Sequence, residues 1–212
     1  MNLKNCLRSL VVLAVASLTL AGCNVSHDKA GNGDNVQVRT PFGDMHIKTN
    51  DNANVAAIGI TAYPGAVPVK EHDNDSDAAD INLHFGDFHL GVKAASYQTS
   101  DSPDKVEAFY RKDLARYGEV LKCNGNRPVG EPTRTSQGLT CNDDHSATHI
   151  HTGDGHSHGF AIDSGNSDDK LELRAGTPGH LHIVGITPQD GGTKIGLVAL
   201  DLPSHHDSSD SE

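Results

Sequence analysis

The sequence predicts an α+β domain: an antiparallel sheet built from hairpins, with one main helix at about 103–117 packed on one face. Three observations carry this. Most segments alternate apolar and polar residues, the period of a strand with one buried face. Gly and Asp punctuate those segments as turns do. A single stretch, SPDKVEAFYRKDLARYG (102–118), has helical spacing instead. Residues 36–202 hold all of these, enough chain for one domain with its own core. With no Trp and five Phe, that core must lean on Val, Ile and Leu.

The elements follow in order. VQVRT (36–40) and MHIKT (45–49) flank Pro41-Phe42-Gly43-Asp44, and INLHF (81–85) and FHLGV (88–92) flank Gly86-Asp87. Gly-Asp between alternating runs signals a two-residue hairpin, since glycine takes positive φ freely. The two hairpins share a short repeat, FGDMHI at 42–47 and FGDFHL at 85–90. In the second, Phe85 should face Phe88, His84 face His89, and Leu83 face Leu90. Alternation then puts Ile81, Leu83, Phe85, Phe88, Leu90 and Val92 on a buried face, with His84 and His89 side by side on the wet one. In the helix, Ser102 suits the N-cap, Pro103 the first turn and Asp104 the dipole. Val106, Phe109, Tyr110, Leu114 and Tyr117 form one apolar stripe, and Gly118 is the stop. Strands are expected at 119–123, 138–141, 159–163, 170–174, 180–186 and 194–200, the last two joined by TPQDGGT.

The N-terminus reads MNLKNCLRSLVVLAVASLTLAGC. Lys4 and Arg8 precede an apolar run, Leu10 to Ala21, with the length of a signal h-region and too short to span a bilayer. The run ends in Leu20-Ala21-Gly22-Cys23, which resembles the lipobox of bacterial lipoproteins. The resemblance implies cleavage before Cys23, a thioether-linked diacylglycerol on its sulfur and an acylated amino group. An ordinary secretory signal with a chance cysteine is the alternative. Asn24 is not the aspartate that retains many such lipoproteins in the inner membrane, so the outer membrane, facing the periplasm, is the expected location. Residues 23–35 read as a flexible tether and 203–212 as a disordered acidic tail. Tyr63-Pro64-Gly65-Ala66, with the Phe109-Tyr110-Arg111-Lys112 helix ending at Tyr117-Gly118, resembles uncharacterised exported bacterial proteins with a YPGA segment and an FYRK-type helix. That resemblance implies an envelope α+β domain and no known activity.

Without residues 1–22, which carry two basic and no acidic side chains, the chain keeps 15 basic and 28 acidic residues, a formal −13. Nucleic acid and anionic lipid surfaces demand basic patches, so neither is an expected partner. Of four cysteines, Cys6 leaves with the signal and Cys23 takes the lipid. Cys123 and Cys141 remain, in a compartment where disulfides persist, and are expected to pair. Two free thiols or a Cys/His metal site are the alternatives.

No G-x-S-x-G, HExxH or phosphate loop is present in the sequence. Asp163-Ser164-Gly165 resembles the catalytic turn of aspartic proteases, but such enzymes need two of these turns and a longer barrel. Asp73-Asn74-Asp75-Ser76-Asp77 starts like a calcium loop, yet Ala78 stands where the turn needs glycine and His84 where the bidentate glutamate belongs. The histidines carry the remaining chemistry. HIHTGDGHSHG (149–159) holds His149, His151, His156 and His158, and neutral imidazoles suit zinc, nickel or copper. The glycines and serines around them cannot preorganise a site, so a solvated loop at 143–158 is the competing reading. His84 and His89, on neighbouring strands, form a second candidate pair. His180 and His182 share one strand face.

These features predict a lipid-anchored envelope protein whose non-enzymatic domain binds a protein or small ligand that the sequence does not name. The alternative is a metal-scavenging or metal-sensing lipoprotein.

Overall fold

The computed structural model describes residues 24–30, 33–50, 55–69, 78–142 and 171–202. Its strands are β1 (Asn24–Ala30), β2 (Gly33–Thr40), β3 (Gly43–Asn50), β4 (Val67–Pro68), β5 (Ala78–Phe85), β6 (Phe88–Thr99), β7 (Leu121–Asn124), β8 (Arg127–Pro128), β9 (Leu171–Thr177), β10 (His180–Gln189) and β11 (Gly192–Asp201). Two helices, α1 (Val55–Ile58) and α2 (Pro103–Leu114), complete the set, α2 running on as a 3-10 turn over Ala115–Tyr117.

The strands form one antiparallel sheet in the order β1-β2-β3-β5-β6-β11-β10-β9-β7-β8, with β4 also pairing β6. Strand dominates helix, so the α+β class holds with the weight on the sheet. Much of the strand order is simple because each hairpin brings the next strand alongside. The long strand β6 joins two regions. Its residues 88–95 pair with β5 and Tyr97-Gln98 with β4, while β11 runs along 91–99 on the other side. On one side of it stands an arm, β1-β2-β3-β5; on the other stands the body, β11-β10-β9-β7.

The body has a core on each side of its sheet. On one, Val106, Tyr110 and Leu114 of α2 bury against Leu173, Val184, Ile186, Ile195 and Leu197. The predicted stripe is therefore the packing face, and Gly118 ends the element at φ 128°, where a side chain would be strained. Ser102 caps through its carbonyl, which accepts from Lys105 and Val106 N–H, and its side chain makes no capping bond. On the other side, Val92, Ala94, Leu181, Ile183, Val198 and Leu200 meet Leu121, Leu139, Cys123 and Cys141. Cys123 and Cys141 are joined, with Cα atoms 5.7 Å apart. Buried Arg174 holds the same loop, donating to Thr140 and Cys141 carbonyls while its Nη2 pairs with Glu172 at 2.7 Å.

Four expectations need correction. Residues 24–30, expected within a tether, form edge strand β1, paired with β2 from Asn24↔Arg39 to Ala30↔Gly33. An edge strand outside the core needs no apolar period, so the tether and strand readings share one sequence pattern. Residues 138–141 are not a strand: Thr135 caps this stretch, accepting the Leu139 N–H on its Oγ1 and donating its own N–H to the Leu139 carbonyl. The first hairpin turns at Pro41-Phe42, with Gly43 and Asp44 already inside β3, whereas the second turns at Gly86-Asp87 as expected. Lastly, the face through Leu83, Phe85, Phe88 and Leu90 has the predicted membership but is not buried; Phe85 and Phe88 are 46% and 43% exposed. The expected strand at 159–163, the 143–158 loop, the acidic loop at 73–77, Asp163-Ser164-Gly165, the signal segment and the acidic tail lie outside the described residues.

Candidate interaction surface

The arm is a two-faced ribbon, and register shows how. Val36 pairs with Ile47, Ile47 with Ile81, Ile81 with Val92, and Val92 with Leu200 of the body. One row toward the turns, Val38, Met45, Leu83 and Leu90 line up in the same way, and Val25 of β1 joins them opposite Val38. Directly paired residues project to the same face. The apolar rows are therefore a continuation of the body's disulfide-side core. In the body that face packs against Leu139 and Cys141 of the loop after β8. In the arm, Val36, Val38, Met45, Ile47, Ile81, Leu83 and Leu90 are half-buried, with Ile81 and Leu90 packed against the body's core.

The end of the arm carries its most exposed apolar groups. Both turns, Pro41-Phe42 and Gly86-Asp87, lie at the end where β1 begins with Asn24. Phe42 is 83% exposed and Val25 62%. Phe85, paired with Phe88, also packs its ring over Gly43. A Cβ at Gly43 would collide with the His84 carbonyl oxygen and sit 2.5 Å from the Phe85 ring. Only glycine permits that approach.

The opposite face of the arm is polar. It carries Arg39, Asp44, His46, Lys48, Asp80, Asn82, His84, His89 and Lys93. His84 and His89 are paired as the sequence predicts, with ring centroids 5.0 Å apart, and both are exposed. His46 Nε2 instead bonds Asn35 Oδ1 at 2.8 Å, and His180 Nδ1 bonds Asp201 Oδ1 at 2.8 Å. Among the described residues no group of three His, Cys, Asp or Glu is placed to hold a metal ion. The pair could supply two ligands to zinc, nickel or copper, leaving the other positions to water or a further chain. His149, His151, His156 and His158 lie outside the described residues, as does Cys23, the residue bonded to Asn24.

Comparison with family models, with curated proteins and with solved structures returned no match. The surface must therefore be read from its own chemistry.

One corner was not legible in the sequence. His182, next to His180 on the same face, stacks flat on Tyr117, with centroids 3.6 Å apart and planes at 9°. Tyr117 Oη and Arg116 Nη2 both donate to the Gly59 carbonyl. Burial pushes the His182 imidazole below its usual value, the Asp201 carboxylate opposing this and Arg116 and His180 adding to it. Its Nδ1 is buried with no hydrogen-bond partner among the described residues. This corner fastens the end of the helix to β10 and to the loop after α1. The stripe position of Tyr117 was the only signal for it.

Proposed function

We propose that the chain is a lipid-anchored cell-envelope protein whose domain is a non-enzymatic binding or surface-interaction module. The anchor rests on the leader, where Lys4, Arg8, the apolar run and Leu20-Ala21-Gly22-Cys23 stand in lipoprotein order. Three acyl chains hold firmly, since each buried methylene contributes about 0.8 kcal/mol. The binding role rests on one observation, the exposed apolar groups of the arm among the described residues, Phe42, Val25, Phe85 and Phe88. An antiparallel sheet normally covers one apolar face with a second layer. A large apolar patch without such a layer marks an interaction surface. With Asn24 after the lipid-bearing residue, the outer membrane facing the periplasm is the proposed location.

Sucrose-gradient fractionation of the envelope followed by intact mass tests this. The expected product sediments with the outer membrane and weighs as residues 23–212 plus diacylglycerol and one acyl chain. A soluble protein whose Cys23 thiol reacts freely sinks the proposal.

The adjacent imidazoles of His84 and His89 favour a second reading, a metal-scavenging or metal-sensing lipoprotein. Protein purified without an affinity tag, and titrated with zinc at neutral pH, decides it. A stoichiometric site weakened by His84→Ala or His149→Ala would put metal handling first.

A further inference from the structure

We infer that the aromatic end of the arm, Phe42, Phe85 and Phe88 with Val25, enters the interface of a zwitterionic phospholipid leaflet beside the lipid anchor. The inference rests on the lipid-anchor reading and adds to it a protein surface that touches the membrane.

Three observations converge on this occupant. The first is position. Cys23 is covalently bonded to Asn24, so its Cα lies about 3.8 Å from that of Asn24. Asn24 pairs with Arg39, at the end of the sheet where both exposed turns lie. Neighbouring strands are about 4.8 Å apart, so the four steps from β1 to β6 place Phe88 within about 20 Å of the start of β1. Acyl chains rooted at residue 23 would hold the three rings close to the same leaflet. The second is chemistry. Phe42 stands 83% exposed on a turn, and Phe85 and Phe88 form an adjacent, half-exposed pair. Exposed aromatic and aliphatic groups gathered at one end suit insertion by about 5–10 Å into the headgroup and acyl boundary.

The third is charge. Among the described residues the end of the arm offers one exposed Lys or Arg, Arg39, against exposed Asp44 and Asp87. Anionic headgroups would be repelled rather than gathered, which selects a zwitterionic surface and makes the contact nearly indifferent to salt. His84 and His89 face away from the apolar rows and remain at the water side.

The sequence contains no Trp, so one substitution gives a single reporter. Phe42→Trp, Phe85→Trp and Phe88→Trp are made in the full lipidated chain, with Val129→Trp, beyond the opposite edge strand β8, as the reference. Each is reconstituted in phosphatidylcholine vesicles with and without brominated acyl chains, and its circular dichroism checks the fold. Emission at 42, 85 and 88 should shift to the blue on reconstitution and be quenched by bromolipid several-fold more than at 129. Replacing a third of the lipid by phosphatidylglycerol should not increase that quenching.

Water-like emission at all three positions, in protein whose mass shows the lipid, overturns the inference and leaves the anchor reading standing. A mass without lipid overturns both. A blue shift that appears without vesicles, grows with protein concentration and is untouched by bromolipid assigns the surface to a second copy of the chain and also overturns the inference.

Discussion

Gly43 and His182 show how single positions carry constraints that composition does not reveal. Gly43 is defined by what a methyl group would strike, the His84 carbonyl oxygen and the Phe85 ring, the latter at 2.5 Å. Because the obstruction includes backbone, relief requires β3 and β5 to separate. Gly43→Ala should cost about 1–3 kcal/mol, the scale of an overpacked site, and should expose Phe85 further. Gly86→Ala has no such obstruction within 4 Å, but its φ of 57° penalises a side chain by about 1 kcal/mol. Urea midpoints of the two variants should therefore separate, Gly43→Ala the lower. For His182, the folded imidazole binds its proton less readily than the unfolded one because burial disfavours the charge. The unfolded chain thus takes up the extra proton, and stability falls with pH below the ordinary imidazole value of about 6.5. The stabilisation is fully present above that value and is lost as pH drops through the lowered one. His182→Gln should flatten the decline of Tm between about pH 6.5 and 5. An unchanged slope would mean that His182 is not the group responsible.

At the scale of elements, ties between neighbours matter more than the elements alone. Glu107 on α2 bonds Lys122 on β7 at 2.8 Å and Arg111 one turn along at 3.0 Å. Partial burial opposes its charge, yet the two cations prevail and hold its carboxyl below the usual range. Glu107→Gln should lower stability by about 1–2 kcal/mol near neutral pH. The difference should vanish in acid, once the wild-type carboxyl is also protonated. Arg174 is a stronger case, being 4% exposed and shared between Glu172 and two loop carbonyls. Arg174→Ala leaves a half-buried carboxylate and two loop carbonyls without their donor and should cost about 1–3 kcal/mol, read as a fall in the urea midpoint. The second hairpin was legible to the residue, since alternation and Gly86-Asp87 fix the register together. The first was legible except for its turn: Gly43-Asp44 carries the hairpin signal, but the turn falls at Pro41-Phe42. There the Thr40 hydroxyl accepts from the Phe42 and Gly43 N–H groups and donates to the Gly43 carbonyl, and Gly43 serves the close approach to Phe85 instead. Strand β1 was illegible because a two-sided edge strand imposes no apolar period. Alternation named the residues sharing a face in the arm, but it carries no information about whether anything lies on that face.

Over the whole molecule, the two regions divided by β6 should differ in how they open. The body buries apolar residues on both faces of its sheet and adds the Cys123–Cys141 bond. The arm keeps one polar face and one half-buried apolar face. Native-state hydrogen exchange should therefore release amides of β1, β2 and β3 at lower opening free energy than those of β10 and β11. Equal protection throughout would show that the ladder transmits stability across β6. Reducing the disulfide frees the loop closed between residues 123 and 141 and should remove about 3 kcal/mol by the chain-entropy argument. The fall in Tm should track the body's amides more than the arm's.

The proposed lipid anchor would also make the protein a mechanical object, and the place where β1 meets the sheet would decide how it bears tension. A pull arriving through residue 23 acts first on Asn24, at the end of a strand whose seven pairs bind it to β2. Drawn along the strand, those pairs share the force in shear and rupture together. Drawn across it, they unzip in succession from Asn24 onward at far lower force. An arm lying against the surface that tugs on it would be loaded closer to the second direction. Yielding there would release seven residues of slack before any strain reached the body, so β1 would work as a mechanical fuse between the bilayer and the fold.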